Sequence, residues 1–361
     1  MKQRSPRAWL IVLSTLVIGA VALVAAYVVL QSRGAFAGCP SCMVTFNTPS
    51  IYNPASGESA AIADLFTFIL VVAGIIFVLV EGMLLLAVLR FRNRPPESAV
   101  QFHGNTKLEV AWTMAPAVIL AVLMGFTLRT MGQVKAVTAD NVMHVTAVGH
   151  QWWWEFRYPE LGIVTANELI VPVNTVIEVS VESQDVVHGF WVPELFGKVD
   201  AVPGYTTRVR FTPTEAGSQY YGGQCTQFCG IQHAQMRFGV IVRTQADFQA
   251  WASNQQQEPA LDALTGDAAA GKALFYEPTS QCMACHAIQG SNAVGATGPN
   301  LTHLASRSFI AGGLLPRTTE NLQAWVHDAP GLKPGIVMPS FLDKFTDQQV
   351  ADIVAFLNTL Q

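Results

Sequence analysis

The sequence predicts a multi-domain membrane protein: a transmembrane helical hairpin preceded by a signal or anchor helix, then an all-β domain, then a small all-α domain. Three observations predict it. Of 361 residues, 51% are hydrophobic and only 13% charged, against roughly 25% charged in soluble proteins. Long apolar runs are confined to the first 130 residues; beyond them come short β-rich runs, a polar stretch, and then helical spacing. Charge divides the same way: residues 1–130 carry 9 basic and 5 acidic side chains, 131–250 carry 7 and 11, and 251–361 carry 5 and 9. No nucleic acid is expected as a partner, because the basic excess lies in the apolar third rather than on a soluble face.

Residues 8–30 are 23 positions without a charge, preceded by Lys2, Arg4 and Arg7. That run is long enough to span a bilayer and longer than the apolar region of a secretory signal, which favours an anchor. Ala35-Phe36-Ala37 fits a cleavage site, and Phe36-Ala37-Gly38-Cys39 is similar to a lipoprotein site that would acylate Cys39. Residues 1–38 therefore stand as a signal peptide or an anchor helix. The stretches 65–89 and 110–128, joined by a connection holding Arg90, Arg92, Arg94 and Lys107, predict a hairpin over residues 62–130. Positive loops stay cytoplasmic, so everything after Arg129 is expected outside. Glu81 falls well inside the first hairpin helix, and Glu109 where the second leaves the cytoplasmic side. Carboxylates at such places are functional candidates; the plain alternatives are a hydrogen bond to a neighbouring subunit for Glu81 and simple solvation for Glu109. Pro116 predicts a kink.

Residues 140–250 read as a sandwich or barrel, with short strands such as 141–148, 169–173, 176–181, 207–212 and 238–243 set between Pro and Gly turns. Residues 251–265 have the composition of a linker. Over residues 266–361, Asp267 is expected to cap a helix toward Tyr276, and Val350, Ile353, Val354 and Leu357 are spaced for a last helix over 346–360.

The six cysteines fall into three pairs. Cys282-Met283-Ala284-Cys285-His286 is a Cys-x-x-Cys-His sequence, the mark of covalent c-type haem. Two thioethers would anchor the macrocycle while His286 reaches the iron; the alternatives are a disulfide or a zinc pair. Met338, the sole Met after the motif, stands in a Gly/Pro loop suited to the second axial position. Met/His ligation raises the potential, and His303 and His327 are its rivals. In the β domain, Cys225, Cys229, His233 and Met236 lie within a dozen residues, with His188 upstream. Thiolate, imidazole and thioether together suit a copper electron-transfer site, and two thiolates would bridge two coppers with His188 and His233 one on each. The alternative is a Cys225/Cys229 disulfide. Cys39 and Cys42 read as a disulfide, or Cys39 as acylated.

From residue 64 onward the chain resembles subunit II of a haem-copper cytochrome c oxidase, of the caa type in which a cytochrome c domain is fused to the C-terminus. The resemblance rests on the hairpin, Leu108-Glu-Val-Ala-Trp-Thr113, Gly149-His-Gln-Trp-Trp-Trp-Glu155, Asp185 to His188, Asp200-Ala-Val-Pro-Gly204 and the loop from Cys225 to Met236. It implies a cupredoxin barrel, a class I cytochrome c domain, and a dinuclear copper centre, CuA. In that centre Cys225 and Cys229 bridge, His188 and His233 are terminal ligands, Met236 is a weak ligand, and Gln227 coordinates through its backbone carbonyl. The family usually has Glu at the position of Gln227, where it also helps bind magnesium, so Gln227 puts magnesium in doubt. Trp152 matches an aromatic electron-entry residue, and Glu109 a carboxylate at the mouth of a proton channel.

The implied function is electron input to a respiratory terminal oxidase in a bacterial inner membrane. Electrons would pass from cytochrome c or a similar external donor through haem c and CuA to haem a of subunit I, which reduces oxygen and pumps protons. Subunit III and membrane lipid are further expected partners. The haem domain from residue 266 on, with 5 basic and 7 acidic side chains, suits a basic donor. The alternatives are the CuA-bearing subunit of a nitric oxide reductase, a quinol oxidase subunit, against which the full ligand set argues, and a copper-delivery protein, against which the haem argues.

Overall fold

A computed structural model describes residues 49–95, 103–135, 141–217 and 220–361. The expected helix over 8–30 and both Cys39 and Cys42 lie outside the described residues. The described chain forms two compact units: residues 61–135, and residues 49–60 together with 141–361.

The first unit holds most of α1 (Gly57–Phe91) and all of α2 (Thr106–Lys135). Both are long and apolar enough to cross a membrane, and they outrun the apolar stretches because polar caps extend them. Asn105 Oδ1 accepts the N–H groups of Lys107 (3.1 Å) and Leu108 (3.3 Å), and Glu109 Oε1 accepts that of Asn105 (3.1 Å). Those are orphan donors of a helix start. Pro116 lies inside α2, which continues through it. Phe68 and Phe126 pack with ring centroids 4.8 Å apart, while large apolar side chains such as Phe77, Leu79, Trp112 and Leu120 remain exposed. Lipid is the solvent that such a surface requires, since helices satisfy their backbone internally.

In the second unit the chain runs β1 (Val142–His150), β2 (Trp153–Tyr158), β3 (Ile163–Ala166), β4 (Glu168–Pro172), β5 (Val176–Ser183), β6 (His188–Val192), β7 (Phe196–Ala201), β8 (Thr207–Phe211), β9 (Tyr220–Cys225) and β10 (Arg237–Arg243). Two five-stranded sheets result, ordered β3-β2-β1-β5-β8 and β4-β10-β9-β6-β7. This is the cupredoxin-like sandwich. Alternation buries one face of each strand: Trp154, Phe156, Phe190, Phe196, Phe211 and Phe238 are fully buried, and Phe190 stacks on Phe238 at 4.6 Å. Just before and within the first turn of α1, Ser56 Oγ donates to Leu195 O (2.5 Å), Ser59 Oγ donates to Pro193 O (2.6 Å), and Glu58 Oε2 accepts the Thr212 N–H (3.2 Å).

The stretch expected as a linker begins inside a helix. α3 (Gln245–Gln255), capped by Thr244 Oγ1 accepting from Asp247 N, buries Phe248 and Trp251, the latter 5.3 Å from Tyr158. Its apolar face overrides its polar composition. Next come α4 (Gly266–Tyr276), α5 (Cys282–Cys285, one turn), the short pair β11 (Phe309–Ile310) and β12 (Leu315–Pro316), α6 (Thr319–Leu332) and α7 (Asp347–Leu357). Asp267 sits in the first turn of α4 rather than capping it; Thr265 holds the N-cap position. α6 breaks at Asp328, two residues ahead of Pro330, as the proline ring and its missing N–H require. α7 starts with a capping box of Thr346 and Gln349. α4 and α7 touch backbone to backbone at Gly271, where a Cβ would fall 1.8 Å from Asp352 O.

Candidate metal centre and haem pocket

The loop after β9 turns back on itself, so donors close in sequence converge. Cys225 N donates to Met236 O (3.0 Å), His233 N to Gly230 O (3.1 Å) and Met236 N to His233 O (3.3 Å). Cys225 Sγ and Cys229 Sγ face each other at 3.7 Å as free thiols. His188 Nδ1 (3.9 Å) and the Gln227 carbonyl oxygen (3.2 Å) flank Cys225. His233 Nδ1 (3.6 Å) and Met236 Sδ (3.8 Å) flank Cys229. The two cysteines, His188 and Met236 are buried. β6 brings His188 in from elsewhere in the chain, and Gly149 makes room for it, since a Cβ there would lie 2.7 Å from the imidazole.

Asp185 aims the ring. Its Oδ1 lies 2.7 Å from His188 Nε2, while its carboxylate also accepts the N–H groups of Gln151 (2.7 Å) and Val186 (2.6 Å). A carboxylate on one ring nitrogen fixes the tautomer that leaves the other as a lone-pair donor. The Cys229 thiol, with His188 and the Gly189 N–H, holds the Cys225 thiol far below its usual range, and the hydrogen bond to Cys225, together with burial and the charge on Cys225, pushes Cys229 up. Two thiolates so close cannot both be ionised without a cation between them. The set divides into two halves, thiolate-imidazole-carbonyl and thiolate-imidazole-thioether, so it fits a pair of coppers rather than one.

Magnesium fits less well. Gln227 offers a neutral amide, and Lys198 Nζ already stands 3.4 Å from its Oε1.

In the helical domain an apolar cavity is lined by Cys282, Cys285, His286, Trp325, Met338 and Phe341. His286 Nδ1 lies 2.8 Å from Pro299 O, which makes Nδ1 the donor and leaves Nε2 free for a metal. Burial lowers the pKa of His286 and keeps it neutral. The free Cys282 and Cys285, this imidazole and a thioether on one apolar cavity fit a covalently held haem. Met338's rivals are placed elsewhere. His303 is buried with Nδ1 2.7 Å from Gln361 O and Nε2 2.9 Å from Gln255 O, and His327 Nε2 lies 3.9 Å from Asp347 Oδ1. Neither lines the cavity.

Trp152 belongs to both sites. It lines the same cavity, and its indole Nε1–H donates to Cys229 O at 2.9 Å. Lys333, to which no sequence motif attaches a role, is 2% exposed and donates to Trp152 O, Gln235 O and Ala311 O. Asp185 lies in a motif that carries the family resemblance, yet only its place beside His188 gives it a role. No sequence signal marks such partners, because their use depends on carbonyls and rings distant in the chain.

Comparison with known proteins agrees with this anatomy. Residues 47–130 match the transmembrane domain of cytochrome c oxidase subunit II, 162–244 its periplasmic domain, and 268–361 a cytochrome c domain. The chain is 31% identical to cytochrome c oxidase subunit 2 of Alkalihalophilus pseudofirmus, over 86% of this chain and 90% of that one. It is 32% identical to cytochrome c oxidase subunit 2 of Bacillus sp. strain PS3, over 75% and 80%, and 30% identical to that of Bacillus subtilis, over 76% and 81%. With membrane hairpin, cupredoxin sandwich and fused cytochrome c domain in one polypeptide, the chain belongs to the cytochrome c oxidase subunit II family.

Proposed function

We propose that this chain is the electron-input subunit of a proton-pumping terminal oxidase, carrying electrons from cytochrome c or a similar external donor, by way of haem c and CuA, to haem a of subunit I. Cys282 and Cys285 would hold the haem covalently, and His286 and Met338 would ligate its iron. Cys225, Cys229, His188, His233, Met236 and the Gln227 carbonyl hold the copper pair. When bound, these groups supply one-electron chemistry with little rearrangement; the protein's work is to fix them and keep water away. Asp185 orients His188, the Pro299 carbonyl orients His286, and burial keeps solvent from both Cys225 and Cys229.

One observation carries the reading: Trp152 forms a wall of the haem pocket and at the same time hydrogen-bonds the backbone of Cys229. The two centres thus meet across a single side chain. Subunits I and III would pack around the hairpin in the bacterial inner membrane, with both redox domains on the extracytoplasmic side. Glu109 stays a candidate for proton uptake, in a position where it also closes the start of α2. The neutral Gln227 beside Lys198 argues for an oxidase without magnesium at this position.

The test is the metal content and spectra of the full chain purified from membranes. One covalent haem and two coppers sharing one unpaired electron are expected. A chain that takes up haem but no copper after reconstitution defeats the reading.

A further inference from the structure

Lys333 opens the loop that carries Met338, yet two of the three carbonyls around its ammonium belong to the metal domain. It is 2% exposed, and its three donors are spent on Trp152 O (2.9 Å), Ala311 O (2.9 Å) and Gln235 O (3.1 Å). An ammonium has three donors and no acceptor, so this shell is complete. Gln235 belongs to the short turn between His233 and Met236. Trp152 is the residue shared by both sites, and Ala311 lines the haem pocket. One cation therefore ties together the metal loop, the pocket wall and the loop bearing the axial Met.

The surroundings are shaped to this arrangement. Ala311 holds φ at 59°, a left-handed conformation that costs a non-glycine residue free energy, and its carbonyl meets the ammonium. At Gly312 a Cβ would lie 2.6 Å from Lys333 Nζ and 2.7 Å from Trp152 O. The seam continues on either side. Arg237 N donates to Gly312 O (3.0 Å), Gln232 Nε2 to Pro334 O (2.8 Å), and buried Glu168 accepts the N–H groups of Ser308 (2.7 Å) and Phe309 (3.1 Å).

We propose that Lys333 is a positioning residue for electron transfer inside the chain, pinning the haem pocket to Trp152 and the metal loop so that the helical domain is a fixed donor and not a tethered one that swings. This rests on the reading that haem and copper fill the two sites. The transfer would move one electron, oxidising the haem and reducing the copper pair with no bond or proton exchanged, so at a given driving force and reorganisation energy its rate would follow the held distance. Trp152, only 8% exposed, is closed to an external donor, which must deliver to the haem.

The test uses the assembled oxidase purified from membranes. In wild type, photochemical reduction of the haem followed by optical detection of copper reduction should give a rate unchanged over a tenfold rise in glycerol viscosity. A rate that falls in proportion to viscosity overturns the proposal. In Lys333→Met, haem and copper spectra should persist, the internal rate should fall at least tenfold and become viscosity-dependent, and the Arg237 amide should lose at least tenfold of its hydrogen-exchange protection. Unchanged rate and exchange overturn it. If the variant does not accumulate, the wild-type viscosity series decides alone. Missing haem or copper signals in wild type defeat the functional reading instead, a result separate from any outcome for Lys333.

Discussion

Asp185 and His188 are three residues apart and joined at 2.7 Å, carboxylate Oδ1 to imidazole Nε2, which points Nδ1 at the Cys225 sulfur. The pair is held from behind by the backbone of Gln151 and Val186. Partners that orient a ligating imidazole are worth roughly 10- to 100-fold in metal affinity. Asp185→Ala should therefore lower copper affinity by about that factor, as measured by competition with a chelator. An unchanged affinity would remove Asp185 from the site's design.

Met338 lies on the cavity wall while His303 and His327 are engaged elsewhere, which supports the proposal that Met338 is the second ligand to the haem iron. Met338→Ala should lower the haem potential in a redox titration, because a thioether favours the reduced iron. His327→Ala should leave it where it was. The reverse pattern would transfer the ligand role to His327.

Gly271 permits contact between α4 and α7, where an added Cβ would meet the Asp352 carbonyl at 1.8 Å. Overpacking of this kind costs about 1–3 kcal/mol or more when backbone must move. Gly271→Ala should destabilise the helical domain, seen as an earlier change of the haem spectrum in denaturant as the iron loses its protein ligands, while the copper spectrum survives to the wild-type midpoint. Equal stability would mean that the helices separate at little cost.

Glu194 is 2% exposed, accepts the Ser50 N–H at 3.3 Å, and burial raises its pKa from 4.5 to about 7. Because the folded value lies above the unfolded one, its contribution is fully present below about pH 4.5 and is lost as pH rises through 7. Glu194→Gln should thus gain stability relative to wild type at pH 8 and not at pH 4.5. Thermal midpoints of the detergent-solubilised chain at the two pH values check this, and parallel curves would refute it.

Much of the candidate site is legible in the sequence, for a local reason. Cys225, Cys229, His233 and Met236 belong to one loop, and Cys282, Cys285 and His286 to one turn and its end, so the backbone alone keeps each set together. Strands are legible where β-branched runs alternate. Those such as β6 and β9, broken by glycines or carrying ligands, stand out only as motifs. The linker expected over 251–265 misses the end of a helix, because Phe248 and Trp251 bury one face of a segment, Gln245–Gln255, whose exposed positions are mostly polar.

The sequence by itself determined the membrane hairpin, the order of domains and the chemical identity of the donors, since apolar length and ligand spacing are properties of contiguous chain. Tertiary structure alone decided which donors meet. It brought His188 against Cys225, chose Met338 from three candidates for the pocket, buried Trp152 between the two sites, and buried Lys333 among three carbonyls. Each of these depends on where sheets and helices cross, and a hydrogen bond or ligand contact forms only where folding delivers both partners to within a few ångströms.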